Sequence, residues 1–284
     1  MSESQWLLKP EKKKNAKLKL FCFSYAGGNG STFISLNDRL PEEVELNVVQ
    51  LPGHGARFSE TLHSDMDDLV AGMLVEFKKE LNCPYVLFGH SLGSMIATEL
   101  MYQCHKAGFS LPQYFIASGC RSPKLKSRKG AIHELPDEAF KSVLKKLNGT
   151  PDLLLENPDL MDLFLPLLRA DFKLSNDYQF KHEHRFNCKA SIFGGQDDID
   201  VGLDDLNAWQ QMFSLKAKIE LFPGDHFFIE SVKSMVWDQV IKLINESLLE
   251  LNKSNLGRNY AEDKGSKILC SESSVAANRP DMVY

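Results

Sequence analysis

No stretch of this sequence is apolar for the ~18 consecutive residues that a membrane-spanning helix needs. The oiliest segment, Asp159 to Arg169, is broken by charges and by Pro166. The opening residues Met1-Ser2-Glu3-Ser4 are not a basic leader, and no apolar segment of a secretory signal follows them. Cysteine is sparse, six in 284 residues, with no Cys-x-x-Cys pair and no metal-ligand spacing. That argues against a metal site and a disulfide framework, and the thiols read as buried groups in a reducing cytoplasm. An excess of positive charge is also missing: 33 Lys and Arg stand against 38 Asp and Glu, for a net charge of −5. A mildly acidic chain lacks the electrostatic footprint of a nucleic-acid binder. The short run Lys12-Lys13-Lys14 reads as a solvated leader. Internal repeats are absent. The expectation is a cytoplasmic monomer with no membrane or nucleic-acid partner and no metal.

What is present is an alternation of strand-like and helix-like segments, the pattern of an α/β fold with a mostly parallel sheet flanked by helices. Residues 1–16 read as a polar leader and 17–251 as the folded domain. Strands are expected over Lys17–Tyr25, Val44–Leu51, Pro84–Phe88, Gln113–Gly119, Lys189–Phe193 and Lys218–Phe222. Asp65–Leu81 repeats apolar residues Leu69, Met73, Phe77 and Leu81 at helical spacing. The alternation breaks between about 121 and 186, where helical stretches occur without a strand. That block reads as an inserted helical lid. Ser231–Leu251 reads as a closing helix. Residues 252–284 are polar and aperiodic and read as an unordered tail.

The stretch with the most chemical content is Gly89-His90-Ser91-Leu92-Gly93. A bare Gly-x-Ser-x-Gly arises by chance in about one chain of this length in ten. Here the apolar strand Pro84–Phe88 precedes it and the helix-forming Ser94–Tyr102 follows, which is the strand–turn–helix setting of a nucleophile elbow. Ser91 is the candidate nucleophile.

A serine hydroxyl needs a base to take its proton, and the base needs a carboxylate to orient it. In the α/β-hydrolase fold these follow in the order Ser, acid, His. His226 lies in Phe222-Pro223-Gly224-Asp225-His226-Phe227-Phe228, directly after the last expected strand, and is the candidate base. Of the other histidines, His54 sits in a loop that could line the site. His90 adjoins the serine and suits packing or hydrogen bonding. The acid loop Gly194-Gly195-Gln196-Asp197-Asp198-Ile199-Asp200-Val201 offers three aspartates. The register Gly195-x-x-Asp198-x-x-Val201 favours Asp198, with Asp197 and Asp200 as alternatives. Two backbone amides are expected to form an oxyanion hole, one from Leu92 and one from Ala26 in the turn after the first strand. The glycines of that turn are not a phosphate loop, because no Gly-Lys-Ser/Thr follows.

Five blocks together resemble the type II thioesterases of nonribosomal peptide and polyketide synthesis, a branch of the α/β-hydrolases. They are Phe21 to Gly28, Gln50 to Phe58 with its Pro52-Gly53-His54-Gly55 loop, the elbow, Leu167-Leu168-Arg169-Ala170-Asp171-Phe172, and Phe222 to Phe228. The resemblance runs from about Leu18 to Leu249, and Trp209 also fits it. Ser24 departs from the family's usual proline, His54 from a common arginine and Asp225 from a common glycine. The resemblance implies hydrolysis of acyl thioesters on the phosphopantetheine arms of carrier proteins, clearing stalled or aberrant acyl groups without a cofactor. Acyl-loaded carrier proteins are the implied partners. A chain-terminating medium-chain fatty-acyl thioesterase and a generic carboxylesterase or lipase share the same scaffold. A non-catalytic binding protein on this scaffold commonly lacks a triad member, and here all three candidates are present.

Overall fold

A computed structural model describes residues 4–128 and 130–272. The chain divides into two units at Lys242/Leu243, and each is described by itself. The first carries seven strands: β1 (Leu7–Leu8), β2 (Leu18–Phe23), β3 (Val44–Val49), β4 (Tyr85–His90), β5 (Tyr114–Ser118), β6 (Lys189–Gly195) and β7 (Lys218–Phe222). Their order in the sheet is β1-β3-β2-β4-β5-β6-β7. All neighbours run parallel except β1, which pairs antiparallel with β3 through Leu7 opposite Val49 and Leu8 opposite Val48. The central strands are buried along their whole length, as expected when helices cover both faces of a parallel sheet. Phe21, Phe88 and Phe115 are fully buried there, each contributing roughly 1.5–3 kcal/mol of transfer free energy.

The helices follow the sequence chemistry. Helix α1 (Ser31–Ile34) is a single turn. Helix α2 (Met66–Glu80) starts where the Asp65 carboxylate accepts from the Asp68 amide, and it turns Leu69, Val70, Met73 and Phe77 inward. Helix α3 (Leu92–Lys106) begins one residue after Ser91 and is buried along most of its length. Between β5 and β6 lie α4 (Asp137–Leu147), α5 (Asp152–Leu155) and α6 (Pro158–Asp177). Asn157 caps α6 by accepting from the Leu160 amide, and Pro158 takes the first turn, where its missing N–H costs nothing. Phe140, Leu144, Met161, Leu165 and Leu168 join these helices in a small apolar core of their own. Helix α7 (Leu203–Asn207) and the single turn α8 (Phe228–Ser231) flank β7. Helix α9 (Lys233–Glu272) packs Trp237 against Phe33 and Phe88.

Two boundaries differ from the sequence reading. Residues 1–16 are not simply a solvated leader: Leu7–Leu8 forms the edge strand β1, and Lys13 is buried with its ammonium on the Pro41 carbonyl. Two residues are too few for any periodicity to register. At the other end, α9 continues to Glu272, past the Asn252 boundary of the expected tail. No proline interrupts that segment, so the backbone pattern propagates although the apolar stripe has ended. In the second unit Ser247 and Ser254 return their hydroxyls to carbonyls one turn back. Residues 273–284 of the expected tail lie outside the described residues.

Candidate active site

The site is built at the C-terminal ends of the parallel strands, where open α/β sheets gather functional loops. Strand β4 runs into Ser91, which holds φ 53° and ψ −118° at the N-terminus of α3. A non-glycine residue at positive φ is costly, and here the surroundings fix it. The Ser91 amide donates to the Ser118 carbonyl (2.7 Å), and the Ser94 hydroxyl donates to the Gly89 carbonyl (2.7 Å). The flanking glycines are required by space. A Cβ on Gly89 would lie 2.4 Å from the Gly93 backbone, and one on Gly93 would lie 2.2 Å from the Phe23 carbonyl oxygen. The motif therefore lets strand, turn and helix close on one another.

His226 follows β7 and presents its ring to Ser91. Its Nε2 lies 3.0 Å from the Ser91 hydroxyl and its Nδ1 lies 2.8 Å from Asp198 Oδ2. With Nδ1–H donating to the carboxylate, Nε2 is left to accept the serine proton. Asp198 lies in the loop after β6, and its other oxygen accepts from the amides of Asp200 (2.9 Å) and Val201 (3.1 Å). Burial works to raise the Asp198 pKa. The His226 hydrogen bond and charge and the two amides outweigh it, and the carboxyl is held below its usual range. Of the three candidate aspartates, Asp198 is the one on the imidazole; Asp197 is exposed and Asp200 stands at the cavity wall. The acid and histidine loops are tied together where the Asp197 amide donates to the Gly224 carbonyl (2.9 Å).

His90 is fully buried and supports the histidine loop from below. Its Nε2 donates to the His226 carbonyl (3.0 Å), and its Nδ1 accepts from the Ser118 hydroxyl (2.8 Å). Burial first, and then the neighbouring His226, push its pKa down to about 3, so its ring is neutral around pH 7. Its place inside the elbow motif hinted at hydrogen bonding, but its partners come from the end of β5 and from the histidine loop. Asp225 directs its carboxylate to the Phe227 amide (2.8 Å) and to the Asn148 side chain (3.2 Å).

Ala26, Ser91 and His226 line one cavity of about 140 Å³. Leu92 opens α3, so its amide belongs to the first turn and has no intrahelical carbonyl to meet. The far wall comes from the helical insertion: Ile132, Leu144, Leu147, Leu168 and Phe172. Arg121, Ser127, Arg128 and Asn176 make part of the lining polar. His54 is not among the lining residues; its ring is bonded to Asp171 of α6 (2.9 Å). The cavity residues could hold an extended apolar chain with a polar arm at its side, and the serine is set to attack a carbonyl between them.

The family model for the thioesterase domain matches residues 18–248. The chain belongs to the thioesterase family. Gramicidin S biosynthesis protein GrsT of Aneurinibacillus migulanus is 34% identical over 230 residues, covering 81% of this chain and 90% of its own. Among solved structures, ClbQ from the colibactin NRPS/PKS pathway superposes with a TM-score of 0.78 at 31% identity, covering 82% of this chain and 99% of that one. The medium-chain S-acyl fatty acid synthase thioesterase of Rattus norvegicus is 29% identical, over 76% of this chain and 82% of its own. The enzyme is thus a hydrolase of the thioesterase type, with the α/β-hydrolase architecture that the resemblance implied. Among the described residues, no helix of this thioesterase is long and apolar enough to cross a membrane.

Proposed function

We propose that this thioesterase releases acyl groups from the phosphopantetheine arms of carrier proteins in nonribosomal peptide and polyketide assembly. Ser91, His226 and Asp198 are its catalytic residues. The observation that carries this reading is the continuous Ser91–His226–Asp198 hydrogen-bonded chain facing a cavity with an apolar wall. Ser91 Oγ attacks the thioester carbonyl as His226 Nε2 takes its proton. The oxygen charge that develops meets the amides of Leu92 and Ala26, each worth on the order of 3 kcal/mol in the transition state. Collapse breaks the C–S bond, and the imidazolium returns the proton to the departing thiolate. Water then attacks the acyl-serine while His226 accepts its proton. The second collapse frees the carboxylic acid and restores the Ser91 hydroxyl. The cycle is complete in protein groups and water and requires no cofactor.

The polypeptide between β5 and β6 acts as a lid over the acyl group. The likeness to GrsT and to ClbQ supports a housekeeping role beside an assembly line. We read the protein as a cytoplasmic monomer; the free thiols of Cys22, Cys83, Cys104, Cys120 and Cys188 suit a reducing compartment. The test is a panel of acyl groups, each offered on a carrier protein, on coenzyme A and as the matched oxygen ester. Faster turnover of short acyl groups on the carrier is the expected result. A preference for oxygen esters would indicate an esterase, and an optimum at medium fatty-acyl chains would indicate the chain-terminating role.

A further inference from the structure

Helix α6 reaches the oxyanion loop through one buried ion pair that the catalytic chain does not use. Asp171 is 2% exposed, and its Oδ2 accepts from the Gly27 amide at 2.7 Å and faces His54 Nε2 at 2.9 Å. His54 is itself buried, and its Nδ1 lies 3.1 Å from the Pro52 carbonyl. Both ring nitrogens therefore face oxygen acceptors. A neutral imidazole has a single N–H, so satisfying both bonds beside a carboxylate takes the imidazolium. The same face of α6 also covers Gly27 with an apolar contact. A Cβ on Gly27 would lie 2.5 Å from a Leu168 methyl, and Gly27 holds φ +72°. Gly27 directly follows Ala26, so whatever fixes the Gly27 amide also aims the Ala26 amide.

We infer that His54 and Asp171 are positioning residues: protonated, the pair clamps helix α6 to the Gly27 turn and holds the Ala26 amide where the oxyanion forms. This rests on the reading of Ala26 as an oxyanion donor. Loss of one ring proton leaves a single N–H for two acceptors, so either the Pro52 carbonyl or the Asp171 carboxylate then faces an imidazole lone pair. The contact then loosens, and with it the turn. The charged groups around the ring are Asp171 from α6 and Arg57 from the turn that follows His54. Arg57 is held by Glu60 (2.6 Å) and the Gln50 carbonyl (2.9 Å). Burial disfavours the charged ring, and Arg57 adds to that. The charge and hydrogen bond of Asp171 outweigh both, and the His54 pKa is raised. The clamp is thus closed below that raised value and opens as the pH rises through it.

The test compares the full-length enzyme with His54→Gln and His54→Arg on butyryl-pantetheine across pH, with Ser91→Ala alongside. His54→Gln is expected to lower kcat about tenfold or more, with KM changed less, as a misaimed oxyanion donor would. His54→Arg, whose charge does not titrate, is expected to recover most of that kcat and to abolish the alkaline fall of kcat that the inference predicts for the wild type. A His54→Gln enzyme within about twofold of wild-type kcat, or a His54→Arg enzyme that keeps the alkaline fall, overturns the inference. If His54→Gln does not fold, the ring ¹⁵N shifts of wild-type His54 decide. A ring that titrates above the ordinary ~6.5, with both nitrogens protonated below its midpoint, is expected, and a ring that titrates below ~6.5 overturns the inference. Turnover by Ser91→Ala at the wild-type rate would instead sink the site assignment itself, whatever His54 does.

Discussion

At the scale of single residues, the account turns on which groups carry charge. Asp198 has both oxygens committed, one to His226 and one to two backbone amides. Asp198→Asn should therefore lower kcat by about 10⁴, the cost of holding the imidazole in the wrong tautomer. Asp197→Asn and Asp200→Asn should stay within about tenfold of wild type, and steady-state kinetics on an acyl-carrier thioester separates the three. If Asp200→Asn is the inactive variant, the acid has been assigned two residues too early. His90 supplies a stability prediction. Its folded pKa of about 3 lies below the ordinary ~6.5, so the unfolded chain takes up a proton that the folded one refuses. The stability present above ~6.5 is then lost progressively as pH falls toward 3. Urea titrations at stepped pH should show that loss, and His90→Gln should flatten its slope while lowering stability at neutral pH. An unchanged slope would mean that other groups dominate acid unfolding. That Ser91, Asp198 and His226 would be brought together was legible in the sequence, because each residue follows a strand and sits in a loop of restricted chemistry. The His54–Asp171 pair was not. Its members lie 117 positions apart, and no local pattern links a Pro-Gly loop to the buried face of a later helix.

At the scale of elements, the insertion between β5 and β6 shows what apolar periodicity leaves open. Its helices were legible from periodicity, but periodicity cannot say whether an apolar face meets a cavity or another helix. Leu153, Leu154, Leu160, Phe164 and Leu168 are apolar residues of these helices, able by spacing either to face an acyl chain or to pack the insertion. Only Leu168 lines the cavity. Leu153 is 78% exposed, Leu154 and Phe164 pack on the small core of the insertion, and Phe164 also meets Phe58. The rest of the apolar wall comes from Ile132, Leu144, Leu147 and Phe172. Leu144→Ala and Phe172→Ala should shift acyl-chain preference and raise KM, while Phe164→Ala should change mainly thermal stability. Labelling by a small fluorophosphonate needs the serine but little of the acyl wall, and it should remain near wild type in all three. Equal loss of labelling and carrier hydrolysis in folded Leu144→Ala would make the insertion part of the catalytic scaffold. The edge strand β1 escaped notice for a simpler reason, since two residues carry no period, and the sheet recruits them by main-chain pairing and by burying Leu7.

At the scale of the whole molecule, every residue assigned to the site lies between Ala26 and His226, and the thioesterase family match ends at residue 248. Deleting residues 257–284 should therefore leave kcat/KM on an acyl-carrier substrate within about twofold, and a larger fall would show that this segment takes part in carrier binding. The parallel sheet was legible from the alternation of buried strands and amphipathic helices, and its strand ends bring the three loops of the site together without any one segment encoding the site. The central claim is that Ser91 carries the acyl group during turnover. The most direct measurement mixes the enzyme with an acyl-loaded carrier protein, quenches in acid within the first turnover, and maps the adduct by peptide mass. The account predicts an acyl mass on the peptide containing Ser91, no adduct in Ser91→Ala, and loss of carrier hydrolysis in that variant by at least about 10³. A folded Ser91→Ala enzyme that hydrolyses the same carrier thioester within about tenfold of wild type would contradict it.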